Sequence, residues 1–268
     1  MMRAHLLQMN LAWEDRQANF RKVEAMLDSA EIVPGDLVVL PELFDSGFSL
    51  HVDQTADDPP VGHGETRAFL ESLARERRVL IHGSWTALAP DGERGLNIAA
   101  LFGVDGRMHY RYAKIHPFTF GREGERFDGG RDVVCVDLKD AGASESLKAT
   151  PAICYDLRFP ELFRAGLEQG AEAYIIGANW PEARQMHWRT LSIARAIENQ
   201  AWVLGVNRVG KDPHLGYAGG SMIINPKGEV IAEGDDSERV ISAPISRSET
   251  DHWRETFPAW KDRSSVFQ

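Results

Sequence analysis

Three side chains of different chemistry stand just past apolar runs in this sequence. Glu42 follows the apolar run in "LVVLPELFDSGF", Lys114 sits in "YRYAKIHPF", and Cys154 closes "ATPAIC" ahead of "YDLRFPELF". A carboxylate can move protons, a fixed ammonium can stabilise a developing oxyanion, and a thiol can attack a carbonyl. Each residue alone has a plainer account. A glutamate after a proline is usually a solvated loop carboxylate, and a single lysine usually lies on the surface. A cysteine ending an apolar run is usually inert core. Together the three supply the parts for thiol-based acyl transfer: nucleophile, base and cation. In α/β sheets ligands collect beyond the carboxyl ends of the strands, so such residues can converge on one pocket.

Other chemistries lack their signatures. The nine histidines are scattered, with no HExxH and no paired Cys/His spacing, so no metal and no cofactor is expected. His187, on a long helix, reads as a packing or supporting residue. There is no G-x-S-x-G, and neither "GREGER" nor "VGHGET" is a GxGxxG or a P-loop. Cys135 in "RDVVCVDL" alternates inside a strand and reads as inert. With two cysteines and no CxxC, neither a disulfide framework nor a redox pair is expected.

Strands and helices must hold the three residues in place, and they alternate from end to end. "RAHLLQMNL" reads as a strand, and Phe20, Val23, Met26 and Leu27 then recur at helical spacing. "TRAFLESLARERR" is a helix and "VLIHGSW" a strand; "NIAALFGVDGRMHYRYAK" is two strands joined at Asp105-Gly106. "SLKATPAIC" and "AEAYIIGAN" are strands ahead of the helices "FPELFRAGLEQG" and "EARQMHWRTLSIARAIENQ". "AWVLGVNRVG" is a strand, "GGSMIINPKGEVIAEG" a hairpin, and "KDAGASESLK" a surface loop. No linker rich in Pro, Gly or Ser divides the chain, so the expectation is one α/β domain over residues 1–268, built on mixed sheets.

The 268 residues are 43% hydrophobic and 26% charged, ordinary for a globular protein, with a formal net charge of -10. No basic block stands out, which argues against nucleic acid or an anionic membrane as partner. No apolar segment approaches the roughly 18 residues of a membrane span, and the N-terminus lacks a signal-peptide pattern. A cytoplasmic protein is the expectation.

"LPELFDSGF", "YAKIHPF" and "CYDLRFPELFR", in that order, resemble the motifs of the nitrilase, or carbon–nitrogen hydrolase, superfamily. So does "GANWPEARQMHWRTLSIARAIENQAWVLGVNRVG", and the likeness runs from about Arg3 to Glu233. The resemblance implies a four-layer αββα sandwich and a catalytic triad of Glu42, Lys114 and Cys154. It further implies a homodimer or higher homo-oligomer, with the stretch 245–268 read as a tail at its interface. Glu125 matches a second glutamate that many relatives keep near the triad. "ANWPEARQMHW" and "ARAIENQ" are closest to the amidase branch that includes omega-amidases acting on 2-oxoglutaramate and related ω-amides. Pro117 departs from that pattern, where relatives often have Leu. N-carbamoyl amidohydrolase and nitrilase activities on the same triad are alternatives, as is a non-catalytic binding protein on the same fold.

On this reading Glu42 takes the thiol proton as Cys154 attacks an amide carbonyl, returns it to departing ammonia, and then activates the water that cleaves the thioester. Lys114 and the backbone N–H of Tyr155 would hold the oxyanion. A carboxylate working in both directions is expected to have a raised pKa, from burial or coupling to a neighbour. Asp156 and Arg158 are expected to pair and brace the turn that projects Cys154, and Asn179 and Trp180 to line the substrate pocket.

Overall fold

The computed structural model describes residues 2–57, 64–90, 92–138 and 146–264. Its first sheet contains β1 (Met2–Gln8), β2 (Leu37–Val39), β3 (Leu80–Leu88), β4 (Gly95–Phe102), β5 (Met108–Ala113) and the short β6 (Phe127–Asp128). The second contains β7 (Val136–Leu138), β8 (Leu147–Ile153), β9 (Ala173–Ala178) and β10 (Trp202–Asn207). A separate hairpin follows, β11 (Val209–Lys211) and β12 (Gly216–Ala218). The strands β13 (Met222–Ile224) and β14 (Val230–Glu233) then extend the second sheet, and β15 (Arg239–Ile245) returns to the first.

Both sheets are mixed. The first has the order β15-β1-β2-β3-β4-β5, with β6 beside β4; the second has β14-β13-β10-β9-β8-β7. β1, β2 and β3 run parallel, as do β8, β9 and β10, while the other neighbours pair antiparallel except the short β6, which runs parallel to β4. Burial follows position. β9, central and covered on both faces, is buried throughout, whereas the edge strand β15 alternates buried and exposed residues.

The helices α1 (Arg16–Asp28) and α3 (Glu65–Arg77) cover the outer face of the first sheet. The periodic residues Phe20, Val23, Met26 and Leu27 are all buried there, and the Asp15 side chain caps α1 by accepting from Ala18 N. On the second sheet lie α5 (Pro160–Glu168) and α6 (Gln185–Asn199). Pro160 opens α5, where a missing N–H costs nothing. Between the sheets a single apolar core joins Leu6, Val39 and Leu101 to Ile153, Ile175 and Leu204. The layers are therefore αββα. Two one-turn helices, α2 (Val52–Thr55) and α4 (Glu123–Arg126), lie in loops, and α7 (Arg247–Thr256) follows β15.

The stretch from 245 onward is built into its own chain as far as it is described. Arg254 donates to the carbonyls of Ala171, Asn199 and Gln200, and Trp202 Nε1 donates to Ser246 O. The surface loop expected in "KDAGASESLK" falls mostly on residues 139–145, outside the described residues. Cys135 lies just before β7 rather than within it and is half-buried.

Candidate active site

The carboxyl ends of four strands meet at one place. Glu42 lies three residues beyond β2, Lys114 directly follows β5, Cys154 directly follows β8 and Asn179 directly follows β9. The two sheets approach closely there: a Cβ added at Gly177, near the end of β9, would stand 3.0 Å from Glu42 N and 3.2 Å from Leu40 O. Only a residue without a side chain lets β9 come this near the Glu42 loop.

Glu42 is wholly buried, and both oxygens of its carboxylate accept hydrogen bonds. Oε1 accepts from Lys114 Nζ and from Asn97 Nδ2, each at 2.8 Å. Oε2 accepts from Asn179 N at 2.9 Å and, more weakly, from Asn179 Nδ2 at 3.3 Å. Burial alone would raise the Glu42 pKa, but the Lys114 charge and these hydrogen bonds outweigh it and hold the carboxyl below its ordinary value. The raised pKa expected from sequence is thus reversed, because the cation is in direct contact. The loop that carries Glu42 is itself fixed: Leu43 N donates to Ser84 Oγ and Phe44 N to Ser84 O.

Lys114 is paired twice. Its Nζ reaches Glu42 and, at 2.8 Å, Glu123 Oε2. Burial opposes its charge, yet the two carboxylates push its pKa well above the ordinary lysine value. The second carboxylate is Glu123, not Glu125. Glu123 is fully buried and also accepts from Asn97 Nδ2 and Phe118 N, whereas Glu125 is exposed and pairs with Arg122. The two glutamates are two residues apart on the single turn α4, so they face different sides, and one inward place is available. That spacing was the signal in "GREGER" that only one glutamate could serve. Asn97, in the interior of β4, carried no sequence signal at all.

Cys154 opens a 3₁₀ turn, Cys154–Arg158, with φ at +45°. This left-handed geometry costs a non-glycine residue about 1–3 kcal/mol, and it persists where surrounding contacts over-determine it. Asp156 provides them. Its Oδ2 accepts from Ile153 N at 2.9 Å and Tyr112 OH at 2.7 Å; its Oδ1 accepts from His116 N at 3.0 Å, and His116 Nδ1 lies 2.8 Å away. Asp156 therefore ties the Cys154 turn to the segment after Lys114. The expected Asp156–Arg158 pair does not form: Arg158 turns instead to the pocket, 4.8 Å above the Trp180 ring, with Nη2 3.3 Å from the exposed His187. The thiol pKa is pushed well up, first by burial and then by the Glu42 charge, with Lys114 pulling the other way. The resting site therefore holds a neutral thiol beside an ionised carboxylate.

A cavity of about 400 Å³ opens onto Cys154, which is 9% exposed. Lys114, Tyr155, Asn179 and Trp180 line it. Tyr155 is the second residue of the 3₁₀ turn, where N–H groups have no partner within the helix. Two guanidinium groups, Arg158 and Arg184, also line the wall, and among the described residues neither is in an ion pair. Arg184 stands 5.5 Å over Phe118. The β11–β12 hairpin also lines the cavity, with Asp212, His214 and Tyr217. Among the described residues no cluster of His, Cys, Asp and Glu could hold a metal ion.

Fold and site together define a two-sheet αββα protein with a buried carboxylate–ammonium–thiol centre. The chain belongs to the carbon–nitrogen hydrolase family, which it matches over residues 3–255. It is therefore a hydrolase acting on the C–N bonds of amides. It is 36% identical to omega-amidase YafV of Escherichia coli strain K12 over 259 residues, 96% of this chain and 94% of that one. With the 2-oxoglutaramate amidase of Bacillus subtilis strain 168 it shares 32% identity over 257 residues, 96% and 95% of the two chains. Among solved structures it is similar to XC1258 of Xanthomonas campestris, a CN-hydrolase superfamily protein with an arsenic adduct in its active site. There the TM-score is 0.88 at 35% identity, covering 99% of this chain and 98% of that one.

Proposed function

We propose that the protein is an omega-amidase-type hydrolase that cleaves a small linear ω-amide bearing a free carboxylate, through a thioester on Cys154. The observation that carries this reading is the pocket itself: a buried Glu42–Lys114–Cys154 centre and, on its wall, two guanidinium groups, Arg158 and Arg184, that are in no ion pair among the described residues. A carboxylate entering the pocket would find in them the planar, bidentate donors suited to it. The names of the relatives, omega-amidase and 2-oxoglutaramate amidase, support the same substrate class.

Because the thiol is neutral and Glu42 ionised at rest, proton transfer accompanies attack rather than preceding it. The sulfur bonds to the amide carbon while its proton passes to Glu42. Lys114 Nζ and Tyr155 N–H take up the oxyanion. Glu42 then returns the proton to nitrogen, the C–N bond breaks and ammonia leaves. Water, deprotonated by Glu42, cleaves the thioester to the carboxylate and restores the thiol. We further propose that the enzyme works in the cytoplasm as a homo-oligomer, which sedimentation of the purified chain would test.

Ammonia release from 2-oxoglutaramate, succinamate, an N-carbamoyl amino acid and a simple nitrile is the deciding panel. The two ω-amides should turn over fastest, and Cys154→Ala should abolish release while a labelled acyl group accumulates on the wild-type cysteine. Preferred turnover of the N-carbamoyl compound or the nitrile would move the substrate class, and full activity in Cys154→Ala would end the thioester mechanism.

A further inference from the structure

Asn179 has a hydrogen-bonding capacity that holding Glu42 does not use. Its backbone N and its Nδ2 both donate to Glu42 Oε2, and Nδ2 also donates to Glu42 O at 2.6 Å. That last contact fixes which end of the side-chain amide is which, since the oxygen there would face a carbonyl oxygen. The remaining atom, Oδ1, is buried and has no hydrogen-bond partner among the described residues. The residue is only 5% exposed and lines the cavity that holds Cys154. A buried acceptor without a donor carries a free-energy cost, and such groups in native sites call for an explanation.

A carboxamide substrate brings the missing donor. Its NH₂ group has two N–H bonds, while the carbonyl oxygen is already provided for by Lys114 and Tyr155. We propose that Asn179 Oδ1 accepts a hydrogen bond from the substrate's amide N–H, and so recognises the amide and keeps its nitrogen beside Glu42. This rests on the amidase reading above. Oδ1 and Nδ2 belong to one amide group, and Nδ2 lies 3.3 Å from Glu42 Oε2, so the assignment puts the substrate's nitrogen on the residue that also holds Glu42. When the tetrahedral intermediate collapses, the proton on Glu42 moves to this nitrogen, the C–N bond breaks and the electron pair leaves with ammonia. The site then discriminates by chemistry as well as shape: an ester or ketone of the same outline leaves Oδ1 without a donor.

Two measurements test the assignment. Succinamate and 4-oxopentanoate differ only by a methyl group in place of NH₂, so their binding to Cys154→Ala, read by calorimetry, isolates the amide N–H. Succinamate should bind at least about tenfold more tightly, and that preference should vanish in Cys154→Ala/Asn179→Ala. Equal binding in the single variant overturns the assignment. The second measurement separates recognition from support of Glu42. Asn97→Ala also removes a donor to Glu42, so its ratio of kcat/KM for succinamate over monomethyl succinate sets the baseline. Asn179→Ala should lower that ratio about tenfold further; an equal fall in both variants means Asn179 acts only through Glu42. Wild-type ammonia release from succinamate is the separate check on the substrate class: with release intact, either negative result removes the Asn179 role alone.

Discussion

Replacing Lys114 by methionine would keep most of the side-chain volume and remove the ammonium that pairs with two buried carboxylates. Lys114 Nζ lies 2.8 Å from both Glu42 and Glu123. At an effective dielectric of about 20, each such contact is worth about 6 kcal/mol before desolvation is subtracted. Breaking a buried pair by removing one partner costs about 3–5 kcal/mol of stability in practice. Catalysis should suffer separately. Loss of one oxyanion donor costs about 2.7–4 kcal/mol, roughly 10²–10³ in kcat. The pH dependence gives the sharper readout. In the wild type Lys114 holds the Glu42 carboxyl below its ordinary value of 4.5. Without the cation, burial and the neighbouring Glu123 both favour the protonated form, so the acid limb of kcat/KM moves to higher pH. The stability deficit should follow the same sign, largest near neutrality and shrinking as the pH falls and Glu42 takes up a proton. Ammonia release across pH 4–9 and urea unfolding at the same pH values read both effects. A variant within about tenfold of wild-type kcat, with an unmoved acid limb, would refute the reasoning.

Further outcomes follow from the same geometry. Glu123→Gln should lower kcat by loosening Lys114, whereas Glu125→Gln, at an exposed position, should leave both stability and turnover near wild type. Equal losses in the two variants would count against the assignment of the inner carboxylate. Gly177→Ala should displace the Glu42 loop and reduce kcat while the melting temperature falls only a few degrees; unchanged kinetics would mean the loop yields without moving the carboxylate. Asp45, buried beside Arg16 and Thr66, has its pKa raised to about 6 by burial. Its contribution to stability is therefore full below the unfolded value and is lost as the pH rises through about 6, on the order of 3 kcal/mol in all. Asp45→Asn should flatten the urea midpoint between about pH 4 and 6, and an unaltered slope would place that titration elsewhere.

Much of this molecule was legible from local pattern. The helical spacing of Phe20, Val23, Met26 and Leu27, the Pro160 opening of α5 and the strand–residue junctions at Lys114, Cys154 and Asn179 all reside in a few consecutive residues. Period and punctuation suffice for these because burial of one face selects them directly. The motifs around Glu42, Lys114 and Cys154 marked which residues could do chemistry.

What only the tertiary structure decided are quantities that depend on who stands next to whom. Glu123 and Glu125 are indistinguishable in "GREGER", and the turn of α4 alone chooses which one enters the core. Asp156 and Arg158 have opposite charges two residues apart, yet the 3₁₀ turn sends one to His116 and the other to the pocket. Asn97 is one polar residue within a strand until the segments after β2 and β5 of its own sheet bring Glu42 and Glu123 to its amide. The sign of the Glu42 pKa shift was decided in the same way. Burial and a touching cation act in opposite directions, and only the 2.8 Å contact with Lys114 says which prevails. Sequence determines what each side chain can do; distance in a low-dielectric interior determines what it does.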